Sequence, residues 1–173
     1  RYRIRRYGFH GTSHKYVALK AAEMLGKELK DLKIITCHLG NGSSITAVKE
    51  GKSVDTSLGF GTVSGVIMGT RCGDLDPAII PYIMERENLG IKDINNILYK
   101  KSGLIGLSEG LSSDMRDLEE QLAQGNKKAK RTLDVLCYGL KKYIGAYTAA
   151  MNGLDALVFT AGIGENSPLL RKE

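Results

Sequence analysis

Arginine and histidine on glycine-bounded loops are the residues of this sequence best suited to chemistry. His10 lies in the loop Phe9 to His14, reading FHGTSH. Arg71 lies in the loop Gly69 to Pro77, close to Asp74 and Asp76. Two more loops are rich in glycine: His38 to Ser44, reading HLGNGSS, and Gly162 to Asn166, reading GIGEN. A phosphoryl group in transfer needs hydrogen-bond donors and positive charge around its equatorial oxygens. Arg71 and His10 on converging loops would meet that need, and the two glycine turns would suit a nucleotide.

The elements that must position these loops follow from periodicity. Ile34 to Ser57 predicts strand, tight turn, strand, tight turn, strand, because Ser44 to Val48 and Ser53 to Thr56 alternate polar and apolar residues. Gly40-Asn41-Gly42 is a turn signal, since Gly and Asn tolerate positive φ. Its N–H groups and hydroxyls would suit a phosphate; a bare meander of strands fits these residues equally well. Gly51-Lys52-Ser53 is no P-loop: Thr46 stands where the earlier glycine belongs, and a strand follows. Gly40-Asn41-Gly42 is no dinucleotide fingerprint, because Ile45 replaces the third glycine. Ala156 to Thr160 predicts a strand buried on both sides. It runs into a glycine turn, and Ser167-Pro168 starts a helix, so the whole is a platform suited to anions. Gly162 and Gly164 are expected to approach the ligand closely or to take positive φ.

Elsewhere, Tyr2 to Tyr7 alternates and predicts a strand. Thr12 or Ser13 is expected to cap a helix from about Lys15 that buries Ala18, Ala21, Ala22 and Leu25 and stops at Gly26. His10 and His14 are four apart across a turn, which does not imply a metal pair; a capping or core histidine is the plainer reading. Leu58 to Asp76 is a long glycine-rich loop of the kind that is usually functional. Asp76-Pro77 starts a helix to about Glu87, with Pro81 making its first turn irregular. Lys92 to Lys101 is a short helix with Ile94, Ile97 and Leu98 inward. Gly103 to Gly110 reads as a loop, and Ser112-Ser113-Asp114 caps a helix that ends at Gly125. Lys127 to Asn152 carries an apolar stripe from Leu133 to Met151 and predicts the longest helix.

Composition narrows the class. The hydrophobic fraction of 42% and charged fraction of 25% are those of a globular domain, and 173 residues suffice for one core. No apolar run is long enough to span a bilayer. The net charge of +6 owes four charges to Arg1, Arg3, Arg5 and Arg6. No aromatic interleaving supports a nucleic-acid surface, so this block reads as an end lying beside a strand. Cys37, Cys72 and Cys137 are odd in number and widely spaced, which fits free thiols rather than zinc or disulfides. With Arg1 at the start and Glu173 just after a helix start, the chain reads as a piece of a longer protein.

Taken together, the motifs resemble the acetate kinase family. The matching residues are FHGTSH at Phe9 to His14, HLGNGSS at His38 to Ser44, SVDTS at Ser53 to Ser57 and MGTR at Met68 to Arg71. GDLDPAI at Gly73 to Ile79, SSDMRDL at Ser112 to Leu118 and FTAGIGENS at Phe159 to Ser167 also match. One loop departs: the family usually has Thr-Pro-Leu-Glu-Gly after Gly59-Phe60, where this chain has Gly61-Thr62-Val63-Ser64-Gly65. Cys72 also stands where the family has Ser or Ala.

The resemblance implies an α/β fold, a mixed sheet flanked by helices, like the ribonuclease H-like lobe shared by acetate and sugar kinases, Hsp70 and actin. Residues 1–173 would be a single domain, most of the C-terminal lobe of a two-lobe kinase, without the N-terminal lobe or the extreme C-terminal segment. It implies a cytoplasmic homodimer, with no nucleic-acid or membrane partner, that uses ATP and Mg²⁺ to convert acetate to acetyl phosphate. His10 and Arg71 would stabilise the transferring group, and Phe9 would line the acetate side. His38, Leu39, Gly40, Asn41 and Gly42 would cover the ATP phosphates. Asp114, Met115 and Arg116 would add a nucleotide contact, and Gly162, Ile163, Gly164, Glu165 and Asn166 would hold adenosine. The metal-associated residues are expected outside this segment, and the segment alone is expected to be inactive. A propionate kinase, or an ATP-binding module of the Hsp70 or actin type, are the alternatives.

Overall fold

The computed structural model describes residues 1–173. Its centre is a mixed four-stranded sheet in the order β3-β2-β1-β4. Strands β1 (Lys33–Leu39), β2 (Ser43–Lys49) and β3 (Lys52–Thr56) form the expected antiparallel meander, with a bulge at Ala47/Val48. β4 (Ala156–Thr160) pairs parallel with β1. β4 is an edge strand and only part-buried, with Leu157 exposed, not a strand buried on both sides, although α1 (Gly11–Leu25) and α7 (Ala161–Asn166) pack against it.

The alternation of β1 and β2 divides the side chains between two faces. Ile34 and Val48 pack with Leu32 and with Ala18, Ala21 and Ala22 of α1 (Gly11–Leu25). Ile35, Cys37, Leu39, Ile45 and Ala47 pack on the opposite side with Leu133, Leu136, Leu140 and Met151 of α6 (Lys127–Met151). That 25-residue helix is capped by Asn126, whose side chain accepts from the N–H groups of Lys128 and Ala129. Each leucine buried in its stripe contributes about 1.5–3 kcal/mol, so α6 is held mainly by this face.

Several expected elements differ. Tyr2 to Tyr7 forms no strand; Arg3 has φ 49°, and Arg6 instead reaches Asp55 of β3 at 2.5 Å. Of the four arginines, Arg6 thus lies beside a strand. α1 begins at Gly11, with His10 as its left-handed N-cap, not with Thr12 or Ser13. Leu25 is 45% exposed rather than inward. α2 (Ile79–Arg86) and α3 (Ile91–Lys100) follow the long loop, and Asp76 accepts from the Ala78 N–H ahead of α2. Gly103–Leu107 is a helical turn, α4, rather than loop. α5 spans Met115–Ala123. Gly162 to Asn166 is not an open glycine turn but lies in a short helix, α7 (Ala161–Asn166), followed by α8 (Pro168–Lys172). Neither Gly162 nor Gly164 has positive φ; the left-handed residue there is Ala161, at 65°. The three cysteines are free. No helix is long and apolar enough to cross a membrane.

Candidate functional site

His10, Arg71 and Gly42 meet at one end of the sheet. A Cβ placed on Gly42 would lie 3.7 Å from His10 Nε2 and 3.4 Å from Arg71 Nη1. The bare glycine therefore leaves open the space that both side chains face. His10 is fixed by its left-handed backbone (φ 59°), which turns the ring over β1 and β2. Its Nδ1 lies 2.8 Å from Ser44 Oγ, and its ring stacks on His38 with centroids 4.0 Å apart. Burial first, then the neighbouring His38 and Arg71, lowers the pKa of His10. Burial lowers His38 likewise. His14 is buried on the same face, between Thr36 Oγ1 at 2.7 Å and Ser44 Oγ at 2.6 Å, and burial brings its pKa to about 4. It is a satisfied core histidine.

Arg71 is positioned by backbone. Its Nη1 donates to the Thr62 carbonyl at 3.1 Å, within the stretch that departs from the family pattern. The loop around it is clamped by the turn before and within α4: Ser102 N donates to Thr70 O, Leu104 N to Met68 O and Ile105 N to Gly69 O, at 2.8–3.0 Å. Gly69 N donates to Asn41 O at 3.2 Å, which ties the arginine loop to the glycine loop after β1.

Beside this point lies a cavity of about 670 Å³ lined by Gly40, Asn41, Asp114, Met115, Arg116, Gly162, Ile163 and Asn166, with Ser113, Glu119 and Ser167. Three segments far apart in sequence are thus brought to one cleft. Asp114 is the N-cap of α5, accepting from Arg116 N at 2.9 Å, and pairs with the Arg116 guanidinium at 2.7 Å. Those bonds hold its carboxyl at about 2. Met115 is buried at the edge of this cavity. Leu39 is a core residue at 2% exposure.

Glu165 and Phe9, two of the expected site residues, do not line this cavity. Glu165 turns back to accept from Ala161 N and Thr160 Oγ1, both at 3.1 Å, and so caps its own helix. Phe9 lines a separate cavity of about 240 Å³ with Gly8, Lys15 and Thr56. Sequence reasoning missed Ser44, Thr36, Ser113, Glu119 and Ser167. The signal for the first two was present: the face of β1 and β2 that carries Ile34 and Val48 also carries Thr36, His38, Ser44 and Thr46. No group of three His, Cys, Asp or Glu side chains is placed to hold a metal.

The sheet order, the helices on both faces and the loops gathered at one end define the class: a mixed α/β fold with a basic, glycine-lined end. The comparisons take this to a family. The Acetokinase family model matches residues 1–173, and the chain belongs to that family. It is 63% identical over 173 residues to an acetate kinase of Carboxydothermus hydrogenoformans and 60% identical to one of Acetivibrio thermocellus. Each match covers 100% of this chain and 43% of the relative. The chain thus spans under half the length of the curated relatives it matches. Among solved structures, a Porphyromonas gingivalis acetate kinase superposes with TM-score 0.95 at 50% identity, covering 98% of this chain and 42% of that one. A propionate kinase from Francisella tularensis superposes with TM-score 0.92 at 46% identity, covering 98% and 43%.

Proposed function

We propose that the protein carrying this chain is an acetate kinase, phosphorylating acetate reversibly with ATP to give acetyl phosphate and ADP. The observation that carries the reading is the convergence of His10 Nε2 and Arg71 Nη1 on the space at Gly42, beside the cleft of Gly40, Asp114 and Gly162. ATP would lie in that cleft, with its phosphates over the loop His38 to Gly42. An acetate oxygen attacks the γ-phosphorus in line, a new O–P bond forms, and the bond to the ADP oxygen breaks. Acetate is already ionised at neutral pH, so no base is required; positioning and charge neutralisation do the catalysis. Arg71 and His10 would hold the equatorial oxygens. Mg²⁺, when bound, would neutralise phosphate charge, and its ligands would come from outside residues 1–173.

Within this reading the chain is most of the C-terminal lobe of a two-lobe, cytoplasmic, homodimeric enzyme, and alone it would bind ATP without turnover. Acetyl phosphate production and ATP binding, measured on residues 1–173 and on the full-length protein, test it. Robust turnover by the 173 residues alone would overturn the two-lobe account. The likeness to a propionate kinase favours a second reading of acyl preference. The ratio of kcat/KM for acetate and propionate decides between them.

A further inference from the structure

Four side chains form a hydrogen-bonded row that ends at the candidate phosphoryl site. Thr36 Oγ1 lies 2.7 Å from His14 Nδ1; His14 Nε2 lies 2.6 Å from Ser44 Oγ; Ser44 Oγ lies 2.8 Å from His10 Nδ1. Thr36, His14 and Ser44 are all buried. Each hydroxyl has one hydrogen, and each neutral imidazole has one N–H. The direction of the whole row is therefore set at its far end.

That end is the carbonyl of Thr46, 3.4 Å from Thr36 Oγ1. A carbonyl only accepts. Thr36 uses both of its contacts when it donates to Thr46 and accepts from His14, which requires Nδ1–H on His14. His14 is neutral, so its Nε2 is a lone pair and Ser44 must donate to it. Ser44 then has no hydrogen left for His10, and the short contact there requires His10 to donate from Nδ1. Nε2 of a neutral His10 is left as a lone pair facing the space at Gly42 that Arg71 Nη1 also faces.

We propose that Thr36, His14 and Ser44 are positioning residues that hold His10 as the Nδ1–H tautomer, so that His10 donates to a phosphoryl oxygen only as the imidazolium. This rests on the phosphotransfer role given to His10 above. A proton from solvent adds to the Nε2 lone pair, Nδ1–H keeps its bond to Ser44, and the phosphoryl oxygen accepts from Nε2–H. No bond forms between His10 and phosphorus, and the proton returns to solvent after the product leaves. The titratable and charged groups facing His10 are His38 of β1, His14 of α1 and Arg71 of the loop after β3. All are basic. The negative charge that favours the imidazolium comes from the phosphoryl group itself, so charging of His10 accompanies substrate binding.

The test is ¹⁵N NMR of histidine-labelled full-length protein, with each ring assigned by single histidine substitutions, beside the pH dependence of kcat. Wild-type protein at pH 8 is expected to show Nδ1–H on both His10 and His14. Thr36→Val replaces the hydroxyl by a methyl of similar shape and removes the acceptor for His14 Nδ1–H. The row then reverses, and both rings become Nε2–H. Ser44→Ala breaks the row in the middle, releasing His10 while His14 stays Nδ1–H. In wild type, kcat falls about tenfold per pH unit above the pKa of His10 in the loaded enzyme; in Thr36→Val that limb is lost, because the neutral ring now donates. Nε2–H on His10 in the wild type, or an unchanged His10 tautomer in both variants, overturns the proposal. An enzyme that makes no acyl phosphate overturns the functional reading instead, and the tautomers report independently of it.

Discussion

The imidazoles of His10 and His38 stack with centroids 4.0 Å apart and planes 16° from parallel. Ser13 Oγ, at 2.9 Å, holds the lower ring through its Nδ1. Two rings this close cannot both charge without repulsion, and both already have lowered pKa values, chiefly through burial. His38→Ala should therefore raise the pKa of His10, by exposing its ring to water and removing a like charge. An NMR titration of the His10 ring measures this. A downward shift would mean that the stack does not govern His10.

The convergence at Gly42 leads to a split in kinetics. In the full-length enzyme, Arg71→Ala and His10→Ala should each cost about 3–4 kcal/mol of transition-state stabilisation, on the order of a hundred- to a thousandfold in kcat, with far smaller losses of ATP affinity. Steady-state kinetics at saturating acetate and ATP give both quantities. Near-normal kcat with collapsed ATP affinity would place the residue in ground-state nucleotide binding.

His14 makes stability depend on pH. Its pKa falls from 6.5 to about 4 in the fold because burial disfavours the charged ring. Above 6.5 it is neutral both folded and unfolded, and its full contribution is present. As pH falls from 6.5 through about 4, the unfolded chain takes up a proton that the folded one resists, and the difference, about 3 kcal/mol, is lost. Urea unfolding of wild type and His14→Gln across that window should show the wild-type decline and a flatter variant. Parallel declines would show that other groups carry the acid sensitivity.

Much of this layout was legible because period and burial agree in it. The meander at 34–56, the cap at Asp114 and the stripe of α6 all read directly. The buried row of Thr36, His14 and Ser44 was not read, because polar residues on a buried face contradict the pattern unless their partners are known, and those partners come from three different elements. α4 was hidden by Gly103 and Gly106, and α7 by Gly162 and Gly164, since glycine lowers helix propensity wherever packing does not restore it. Tyr2 to Tyr7 alternates but finds no strand to pair with. Phe9 and Glu165 were placed by their motifs, yet one faces a different cavity and the other caps its own helix.

Gly103 holds the arginine loop from beneath. It has φ 64°, and a Cβ there would lie 2.0 Å from Met68 O and 2.7 Å from Arg71 O. Both the backbone and the space exclude a side chain, so Gly103→Ala must push the two loops apart or unwind α4. The expected cost is about 2–4 kcal/mol, large for a single methyl. Denaturant unfolding measures it, and kcat should fall in the variant even where it is fully folded, because Arg71 moves. A variant of unchanged stability and activity would show that this contact is not needed.

Gly162 and Gly164 stand between the cleft proposed for the nucleotide and the core. Gly162 is exposed on the cleft, and a Cβ added to it meets nothing within 4 Å. Gly164 is buried, and its Cβ would lie 3.4 Å from the Phe159 carbonyl carbon and 3.5 Å from Cys37 O. One methyl fits at Gly164, whereas the branched side chain of valine presses on both β1 and β4. Gly164→Ala should therefore leave KM for ATP nearly unchanged, while Gly164→Val should raise it by displacing α7. Gly162→Val should leave the fold intact and still raise KM for ATP, because its side chain occupies space that the nucleotide would need. None of the three should alter KM for acetate comparably, since Arg71 and His10 lie on other loops. Both KM values, each at saturating co-substrate and with circular dichroism confirming the fold, decide the matter. A folded Gly162→Val enzyme with normal ATP affinity would take α7 out of the nucleotide site and leave the cleft between Asp114 and Gly162 without its occupant.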